Sequence, residues 1–331
     1  MQLRAWLERA RPFKAPPTMR KLLVFAAFAA LLIPAEAGAS VLLGVEGSKS
    51  RFKDQTNQAS DVNLDFISWG VHKETYLDNV LDAAKPTPML AWGTVNKYGN
   101  EGITPRQIAR GKGDRVLIDI AQALNRFGRF AYVRPYAEMN GYWNPYCAYN
   151  SSGGYRGSAH STKNFRKAFR RTYLIMHGGA VADINAKLVA NGLPKLDRPN
   201  DLPVNDVKVV WNPQGFGSPD LKSNSANAYY PGDKYVDVVA NDLYDFGRGV
   251  EWKANLDLYR AHPDKPYAIG EWGLGPGVDS AAFVEKMGNF VKSHPRVETI
   301  VYYRSQTGST FDLSSKPRAR AAYKRYILPL G

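Results

Sequence analysis

The sequence contains very little cysteine and histidine, and both shortages exclude classes of protein. Cys147 is the single cysteine among 331 residues, so the chain cannot form an intramolecular disulfide framework or a zinc site built from several thiolates. The five histidines are scattered and form no HExxH motif, which argues against a histidine-based metal site. We therefore expect neither a metal nor a cofactor.

The sequence also lacks a hydrophobic run long enough to span a membrane. The run at 22–33 has twelve apolar residues, whereas a transmembrane helix needs about twenty. Two basic residues precede this run, and small residues ending at Ala39 follow it, an order typical of a secretory signal peptide. We predict a signal peptide within residues 1–39, with 1–18 as an upstream extension, and cleavage after Ala37 or Ala39. The protein is then secreted, extracellular or periplasmic, without a permanent membrane anchor.

Acidic residues are few compared with basic ones, and the formal net charge is +14. A nucleic-acid-binding protein would carry its basic residues in a recognisable module, and the sequence contains none. The densest basic group, at 166–171, lies opposite Phe165, Phe169 and Tyr173 at helical spacing. We interpret this group as the solvent-exposed face of an amphipathic helix. We expect no nucleic acid as a partner, and a monomer.

Residues 40–331 alternate between strand-like and helical segments, with no low-complexity linker between them. Short apolar or β-branched runs recur at 41–45, 66–69, 89–92, 130–136, 207–211, 236–242, 267–271 and 299–303. Helical periodicity is clearest at 116–126, 163–176, 281–292 and 318–326. Eight such units in this length predict an α/β fold, a single (β/α)8 TIM barrel over residues 40–331. An open doubly wound sheet is the alternative, but no glycine-rich phosphate loop follows the first run.

Two of these runs end in a glutamate, Glu138 after the fourth strand and Glu271 at the end of the seventh. In a (β/α)8 barrel the carboxyl ends of all strands meet at one face, where the active site is built. Two carboxylates across a cleft can cleave a glycosidic bond without metal: one protonates the leaving oxygen, and the other attacks the anomeric carbon or activates water. Either glutamate could instead be structural, bonded to Arg134 or to backbone amides.

Aromatic side chains cluster around these strand ends, and their flat apolar faces suit sugar rings. The cluster consists of Trp69, Trp92, Tyr142, Trp143, Trp211, Tyr244, Trp272 and Tyr303. Any one tryptophan could be a core residue, but loops at the top of a barrel carry function. As substrate-binding residues we predict Arg134, Asn140, Trp143, Trp211, Tyr244 and Trp272.

The segment RPYAEMNGYW, at 134–143, resembles the fourth-strand motif of glycoside hydrolase family 26, the β-mannanase family of the clan of retaining (β/α)8 hydrolases. Further similar blocks follow in order, namely VVWNP at 209–213, YYPGD at 229–233, NDLY at 241–244 and IGEWG at 269–273. The resemblance covers residues 134–303 well and the first third in outline. It implies that Glu138 is the general acid/base and Glu271 the nucleophile, held ionised by a hydrogen bond from Tyr244.

The chain departs from the family pattern at two places. Ala137 stands where the family usually has a histidine, and Arg304 and Gln306 stand where it often has a tryptophan platform. The resemblance implies a secreted retaining endo-β-glycanase that hydrolyses a β-linked polysaccharide by double displacement, with β-mannan, mixed-linkage β-glucan or a related polymer as substrate. Two alternatives remain: a non-catalytic or weakly active glycan-binding barrel, and hydrolysis by Asp242 and Asp245.

Overall fold

The structure, a computed structural model, describes residues 40–331, so the predicted signal peptide lies outside the described residues. The strands of this part are β1 (Leu42–Gly47), β2 (Val62–Ile67), β3 (Thr87–Trp92), β4 (Ala131–Pro135), β5 (Val207–Trp211), β6 (Val238–Asp245), β7 (Tyr267–Leu274) and β8 (Val297–Ser305). Each strand pairs in parallel with the next, and β8 pairs with β1. The sheet is thus a closed barrel, and the predicted (β/α)8 TIM barrel is confirmed.

Helices follow the strands around the barrel. The α-helices of the described residues are α1 (Lys49–Thr56), α2 (Glu74–Ala83), α3 (Pro105–Ala109), α4 (Asp114–Phe127), α5 (Thr162–His177), α6 (Val181–Ala190), α7 (Trp252–Ala261), α8 (Ala281–Ser293) and α9 (Pro317–Tyr326). The four predicted helical segments correspond to α4, α5, α8 and α9. After β5, short 3-10 turns stand where a helix follows every other strand.

The second strand begins earlier than the sequence predicts, at Val62 rather than at residue 66. Asn63 and Asp65 interrupt the apolar pattern of this strand, so the sequence did not predict its first half. Asn63 is nonetheless buried, because its side-chain amide donates to the backbone carbonyls of Ala84 at 3.1 Å and Lys85 at 2.8 Å. These two hydrogen bonds satisfy the side-chain nitrogen, whereas Oδ1 of Asn63 is buried without a partner among the described residues.

The hydrophobic core has two layers, because successive side chains of a strand point to opposite faces of the sheet. The inner layer fills the barrel with Val62, Leu64, Met89, Ala91, Tyr132, Val210, Val238, Ala240, Ala268 and Val301. The outer layer, between strands and helices, is larger and contains most of the buried aromatic rings. The barrel is therefore a packed core rather than a pore.

One of the four basic residues of α5, Arg171, does not lie on the solvent-exposed face that their spacing predicts. Arg171 is fully buried, with Nε donating to Asp114 at 2.5 Å and Nη1 to the carbonyl of Pro194 at 2.7 Å. The other three bind the carbonyls of loops, with Arg166 on Ala228, Lys167 on Gly192 and Arg170 on Pro231. The prediction was wrong for Arg171, whereas the other three stay partly exposed while they donate to the loops.

Two further features of residues 40–331 bear on membranes and metals. None of the helices in this part is both long and apolar enough to cross a bilayer, and no three His, Cys, Asp or Glu side chains within it lie close enough to hold a metal ion. Cys147 is buried, and its sulfur lies 3.6 Å from Oδ1 of Asn224 and 3.7 Å from the hydroxyl of Tyr229. The thiol is thus part of the packing.

Candidate active site

Both predicted catalytic glutamates lie at the mouth of the barrel, the face formed by the carboxyl ends of the strands. Glu138 follows β4 and Glu271 lies in β7. They line one cleft of about 480 Å³, the main cleft, together with Asp242, Tyr244 and Tyr303 from β6 and β8. The structure therefore brings together two carboxylates that are far apart in the sequence.

The turn that carries Glu138 has a strained backbone. Tyr136 has φ 54° and Glu138 has φ 52°, both in the left-handed region that costs a non-glycine residue about 1–3 kcal/mol. Neighbouring side chains hold the turn: the hydroxyl of Tyr146 donates to the carbonyl of Ala137 at 2.6 Å, and the amide of Asn144 donates to that of Glu138 at 2.9 Å. Such strain persists only where the surroundings fix it, and it is found preferentially at functional sites.

Two donors hold the carboxyl group of Glu138. The indole of Trp143 donates to Oε2 at 2.6 Å, and the amide of Gln214 donates to Oε1. Trp143 can reach Glu138 because Gly141 has no side chain: a Cβ there would lie 2.3 Å from the indole ring. Burial and the negative charge of Glu271 raise the pKa of Glu138. A raised pKa favours the protonated form, which is the form that a general acid requires.

A β-bulge directs Glu271 towards the cleft. The pairing of β6 with β7 passes from Asn241–Ile269 directly to Asp242–Glu271, so Gly270 is the extra residue. Glu271 is mostly buried. Nη1 of Arg134 donates to its Oε1 at 2.6 Å, and the hydroxyl of Tyr244 donates to its Oε2.

These two donors stabilise a negative charge on Glu271. The guanidinium is positively charged, and hydrogen bonds from charged groups to carboxylates are the strong ones. Burial and the charge of Glu271 raise the pKa of Tyr244 well above its ordinary value. Tyr244 therefore keeps its proton and acts as a donor, as the sequence resemblance implies.

Arg134 is the centre of a polar network inside the barrel. It is fully buried, and besides Glu271 it contacts Oδ1 of Asn212 through Nε at 2.8 Å and Oδ2 of Asp242 through Nη2 at 2.6 Å. Burial alone would lower the pKa of Arg134, but the charges of Asp242 and Glu271 raise it above its ordinary value. Gly270 leaves the room for this network, since a Cβ there would lie 2.0 Å from Oδ1 of Asn212.

Four predicted substrate-binding residues do not line the main cleft: Arg134, which is fully buried in the network described above, and Trp211, Trp272 and Asn140. Trp211 and Trp272 are fully buried and pack against other aromatic rings in the outer core layer. Asn140 is also fully buried, and its side chain bonds the backbone N–H of Gln214 at 2.8 Å and the carbonyl of the same residue at 2.8 Å. We therefore correct these predictions: the two tryptophans are core residues, and Asn140 fixes the loop that positions Gln214.

The side-chain alternation of the strands could have excluded both tryptophans. Trp272 directly follows Glu271, and Trp211 directly precedes Asn212. Because neighbouring side chains in a strand point to opposite faces, a residue next to an inward-facing polar group belongs to the outer layer. Tryptophan as a residue type suggested a surface for stacking sugar rings, but the position of each tryptophan in its strand excludes that role.

Several residues of the main cleft were not predicted from the sequence. Gln214 holds Glu138, and the side chains of Phe216 and Phe246 line the cleft and are about half exposed, as is that of Trp143. Exposed aromatic faces on loops above a carboxylate pair are suited to sugar rings. The two phenylalanines lie in loops after β5 and β6, where no strand pattern marks them.

Glu46 is a further carboxyl group at the mouth, near the end of β1. Its Oε2 is buried and has no hydrogen-bond partner among the described residues. Burial, followed by the charge of Glu271, raises the pKa of Glu46 to about 7. Tyr303, on the neighbouring strand β8, also has a raised pKa, about 12, for the same two reasons. Glu46 therefore titrates near neutral pH.

The alternative carboxylate pair, Asp242 and Asp245, does not share the main cleft. Asp242 lines the cleft but is held in the ion pair with Arg134. Asp245 is not part of the lining, and its Oδ1 accepts a hydrogen bond from the backbone of Gly247 at 2.8 Å, as turn-forming aspartates do. The geometry favours Glu138 and Glu271.

The fold and the site define a class of molecule, a (β/α)8 barrel with two glutamates on one cleft, one held by an indole and an amide and the other by a guanidinium and a tyrosine hydroxyl. Solved structures of similar fold include a mannanase from Bacillus subtilis (16% identity, TM-score 0.57, covering 88% of this chain and 86% of that chain). A second is a β-mannanase of glycoside hydrolase family 26 from Bacteroides ovatus (17% identity, TM-score 0.54, covering 87% of this chain and 88% of that chain). A third is a modular endo-β-1,4-mannanase from Cellulomonas fimi (18% identity, TM-score 0.57, covering 87% of this chain and 70% of that chain). The resemblance to family 26 is confirmed for the fold.

Among curated proteins, Endoglucanase H of Acetivibrio thermocellus is 26% identical over 301 residues, which are 85% of this chain and 29% of the relative. The chain thus spans less than a third of the length of the curated relative that it matches. No protein-family model matches the chain.

Proposed function

We propose that the chain is a secreted, retaining endo-β-glycanase of glycoside hydrolase family 26. The observation that carries this proposal is the placement of Glu138 and Glu271 on one cleft in opposite electrostatic environments. The comparisons support the substrate class, because similar structures are those of mannanases and the curated relative is an endoglucanase. As substrate we propose β-mannan, mixed-linkage β-glucan or a related β-linked polysaccharide.

In the first step, Glu138 gives its proton to the glycosidic oxygen as the bond from that oxygen to the anomeric carbon breaks. A carboxylate oxygen of Glu271 forms a bond to the anomeric carbon, and the leaving part of the chain departs as an alcohol. Arg134 and Tyr244 position Glu271 for this attack. Trp143 lies beside the acid and offers a flat apolar face to the sugar on the leaving side.

In the second step, the ionised Glu138 takes a proton from a water molecule. The resulting hydroxyl attacks the anomeric carbon, and the bond to Glu271 breaks, which restores both carboxyl groups to their starting states. Two inversions at one carbon give net retention. Arg134 and Tyr244 now stabilise the negative charge that returns to Glu271.

The test is a screen of the purified protein on mannan, lichenan, β-1,3-xylan and bacterial exopolysaccharides, with release of reducing ends as the readout. Glu271→Ala should abolish turnover on every substrate, and azide should restore part of it. Glu138→Ala should impair activated aryl glycosides least, because their leaving group needs no proton.

Asp245→Ala is the matched control, a carboxylate at the mouth that does not line the cleft, and it should leave turnover within a few fold. Loss of turnover in Asp245→Ala with retention in Glu271→Ala would move the chemistry to the alternative pair. Binding of a polysaccharide without hydrolysis would instead favour a glycan-binding barrel.

Export is the second part of the proposal. The order of basic residues, apolar run and small residues supports cleavage after Ala37 or Ala39, so the mature chain should begin at Gly38 or Ser40. N-terminal sequencing of the exported protein checks this. A chain recovered from the membrane fraction that still begins before Leu22 would contradict it.

A further inference from the structure

A second hollow lies at the mouth of the barrel, over the ends of β2, β3 and β4. Its volume is about 360 Å³, and its lining includes Phe66, Asn96, Ala137, Asn144 and Tyr146. We refer to it as the β2–β4 hollow. Its size falls within the range of small-molecule sites, about 300–1,000 Å³, and none of its lining residues also lines the main cleft.

The β2–β4 hollow adjoins the carboxylate pair from the opposite side. Ala137, in its lining, directly precedes Glu138, which lines the main cleft. Arg134 also belongs to the lining of the hollow and contacts Glu271 at 2.6 Å. A substrate that lies over the two glutamates therefore has room to extend into this hollow as well as along the main cleft.

The chemistry of the hollow suits a neutral, hydroxylated ring. Phe66 is 49% exposed at the end of β2 and offers an apolar face. Ser68, Asn96 and Asn144 add uncharged polar groups. The only charged residue of the lining is Arg134. Each of its three nitrogens already donates to Asn212, Asp242 or Glu271, and its positive charge is paired with two carboxylates, so the lining offers no unpaired charge to an ionic group.

Two small residues, Ala137 and Gly93, shape the hollow. The carbonyl of Ala137 is fixed by the hydroxyl of Tyr146, and its methyl side chain fills little of the space that a larger residue would take. Gly93 lets the ring of Tyr146 approach, since a Cβ at Gly93 would lie 3.0 Å from that ring. The turn that aims Glu138 therefore also leaves a recess beside it.

We propose that the β2–β4 hollow binds one neutral sugar unit of the substrate, with Phe66 as its stacking face and Ala137 as the residue that sets its depth. This inference rests on the proposed glycanase function. The sugar unit is either a further residue of the main chain or a branch carried by a residue at the carboxylate pair. The same chemistry recognises both, and the experiment separates them.

The experiment measures kcat and KM on the polysaccharide that the wild-type protein cleaves, using unbranched oligosaccharides of increasing length and branched ones of equal main-chain length. Phe66→Ala, a change on β2 that touches neither catalytic strand, should raise KM about three- to tenfold with kcat nearly unchanged. Ala137→Phe should fill the hollow and raise KM by at least about tenfold. Tyr76→Ala and Ala186→Phe, which make the same exchanges on the exposed faces of α2 and α6, are the controls and should change neither constant.

If the two variants raise KM only for unbranched substrates above a certain length, the hollow binds a further sugar of the main chain. If they raise KM only for branched substrates, the hollow binds the branch. The inference is overturned if Phe66→Ala and Ala137→Phe leave KM within twofold of the wild type on both series, or lower kcat alone. Absence of hydrolysis by the wild-type protein would instead show that the proposed function has failed.

Discussion

The two halves of the barrel interior are built from opposite kinds of residue. The half away from the mouth contains Met89, Tyr132 and the other apolar side chains of the inner core layer. The half at the mouth contains Arg134, Asp242 and Glu271, joined by ion pairs. Apolar packing stabilises a fold directly, whereas buried ion pairs often contribute little net stability. The polar half is therefore explained by chemistry rather than by folding.

The backbone differs between the halves in the same way. At the mouth, Tyr136 and Glu138 have left-handed φ values, and Glu46 has a buried carboxylate oxygen without a partner among the described residues. Each of these features costs free energy. None of the residues of the inner core layer has a left-handed φ. Substitutions in the two halves should therefore separate stability from activity.

The largest effect is expected for Arg134→Met. It leaves Asp242 and Glu271 buried without a positive partner, which should lower the free energy of unfolding by about 3–5 kcal/mol and kcat by about a thousandfold or more. Urea unfolding and steady-state kinetics measure the two effects. Arg134→Lys keeps the charge but not the planar guanidinium, so its free energy of unfolding and its kcat should lie between those of the wild type and those of Arg134→Met. If Arg134→Met were as stable and as active as the wild type, the ion pairs at the mouth would serve neither folding nor chemistry, and the contrast between the two halves would be wrong.

Met89→Ala tests the apolar half. Loss of a buried methionine side chain should lower the free energy of unfolding by about 2–5 kcal/mol, because a cavity remains between β3 and its neighbours. The kcat of the folded enzyme should stay within about twofold of the wild type, since Met89 belongs to the apolar inner layer and pairs with Leu64 and Tyr132 on the neighbouring strands. A tenfold fall in kcat at a temperature where the variant is fully folded would show that the halves are coupled.

Gly270→Ala tests the boundary between the halves. The added Cβ would lie 2.0 Å from Oδ1 of Asn212 and 3.0 Å from Nε of Arg134. Overpacking of this kind should cost about 1–3 kcal/mol and disturb the positioning of Glu271, so kcat should fall more than stability alone explains. Gly273→Ala is the control on the same strand, where the nearest atom is a ring carbon of Phe311 at 3.1 Å. Equal effects of the two alanines on kcat would contradict the account.

The sequence predicts the apolar half better than the polar one. Eight β-rich runs were enough to predict the barrel, because strand periodicity is local information. Glu138 and Glu271 were also predictable, since each ends such a run. The partners Asn212 and Asp242 were not predicted for the network around Arg134, because their meeting depends on closure of the barrel. The β2–β4 hollow is defined by space between residues, which no sequence pattern describes.

The errors have a common physical origin. Trp211 and Trp272 were assigned to the substrate because tryptophan at a strand end suits sugars, but both faces of a barrel strand are buried against something. Their place beside inward-facing polar residues puts them in the outer layer. The basic residues of α5 followed helical periodicity correctly, yet periodicity cannot show that Arg171 meets Asp114 from α4. Local patterns predict elements, and contacts between elements require the fold.

Trp143→Phe should give the smallest effect, a change in pH dependence. The indole donates to the carboxyl of Glu138 and lowers its pKa, while burial and Glu271 raise it. Because the indole stabilises the ionised carboxylate, its removal favours the protonated form, and the pKa of Glu138 should rise. The basic limb of the kcat/KM profile should move to higher pH by up to about one unit. The profile is measured with Glu46→Gln present in both enzymes, because Glu46 also titrates near pH 7. A shift to lower pH would contradict the role given to Glu138.

The central claim is that Glu271 attacks the anomeric carbon while Glu138 acts as acid and then as base. Proton NMR of the first product formed from a β-glycosidic oligosaccharide tests it most directly, because it reports the configuration before mutarotation. The account predicts the β anomer, together with carboxyl groups about 5 to 5.5 Å apart, as in retaining enzymes. An initial α anomer would show that water attacks directly, and it would contradict the roles assigned to both glutamates.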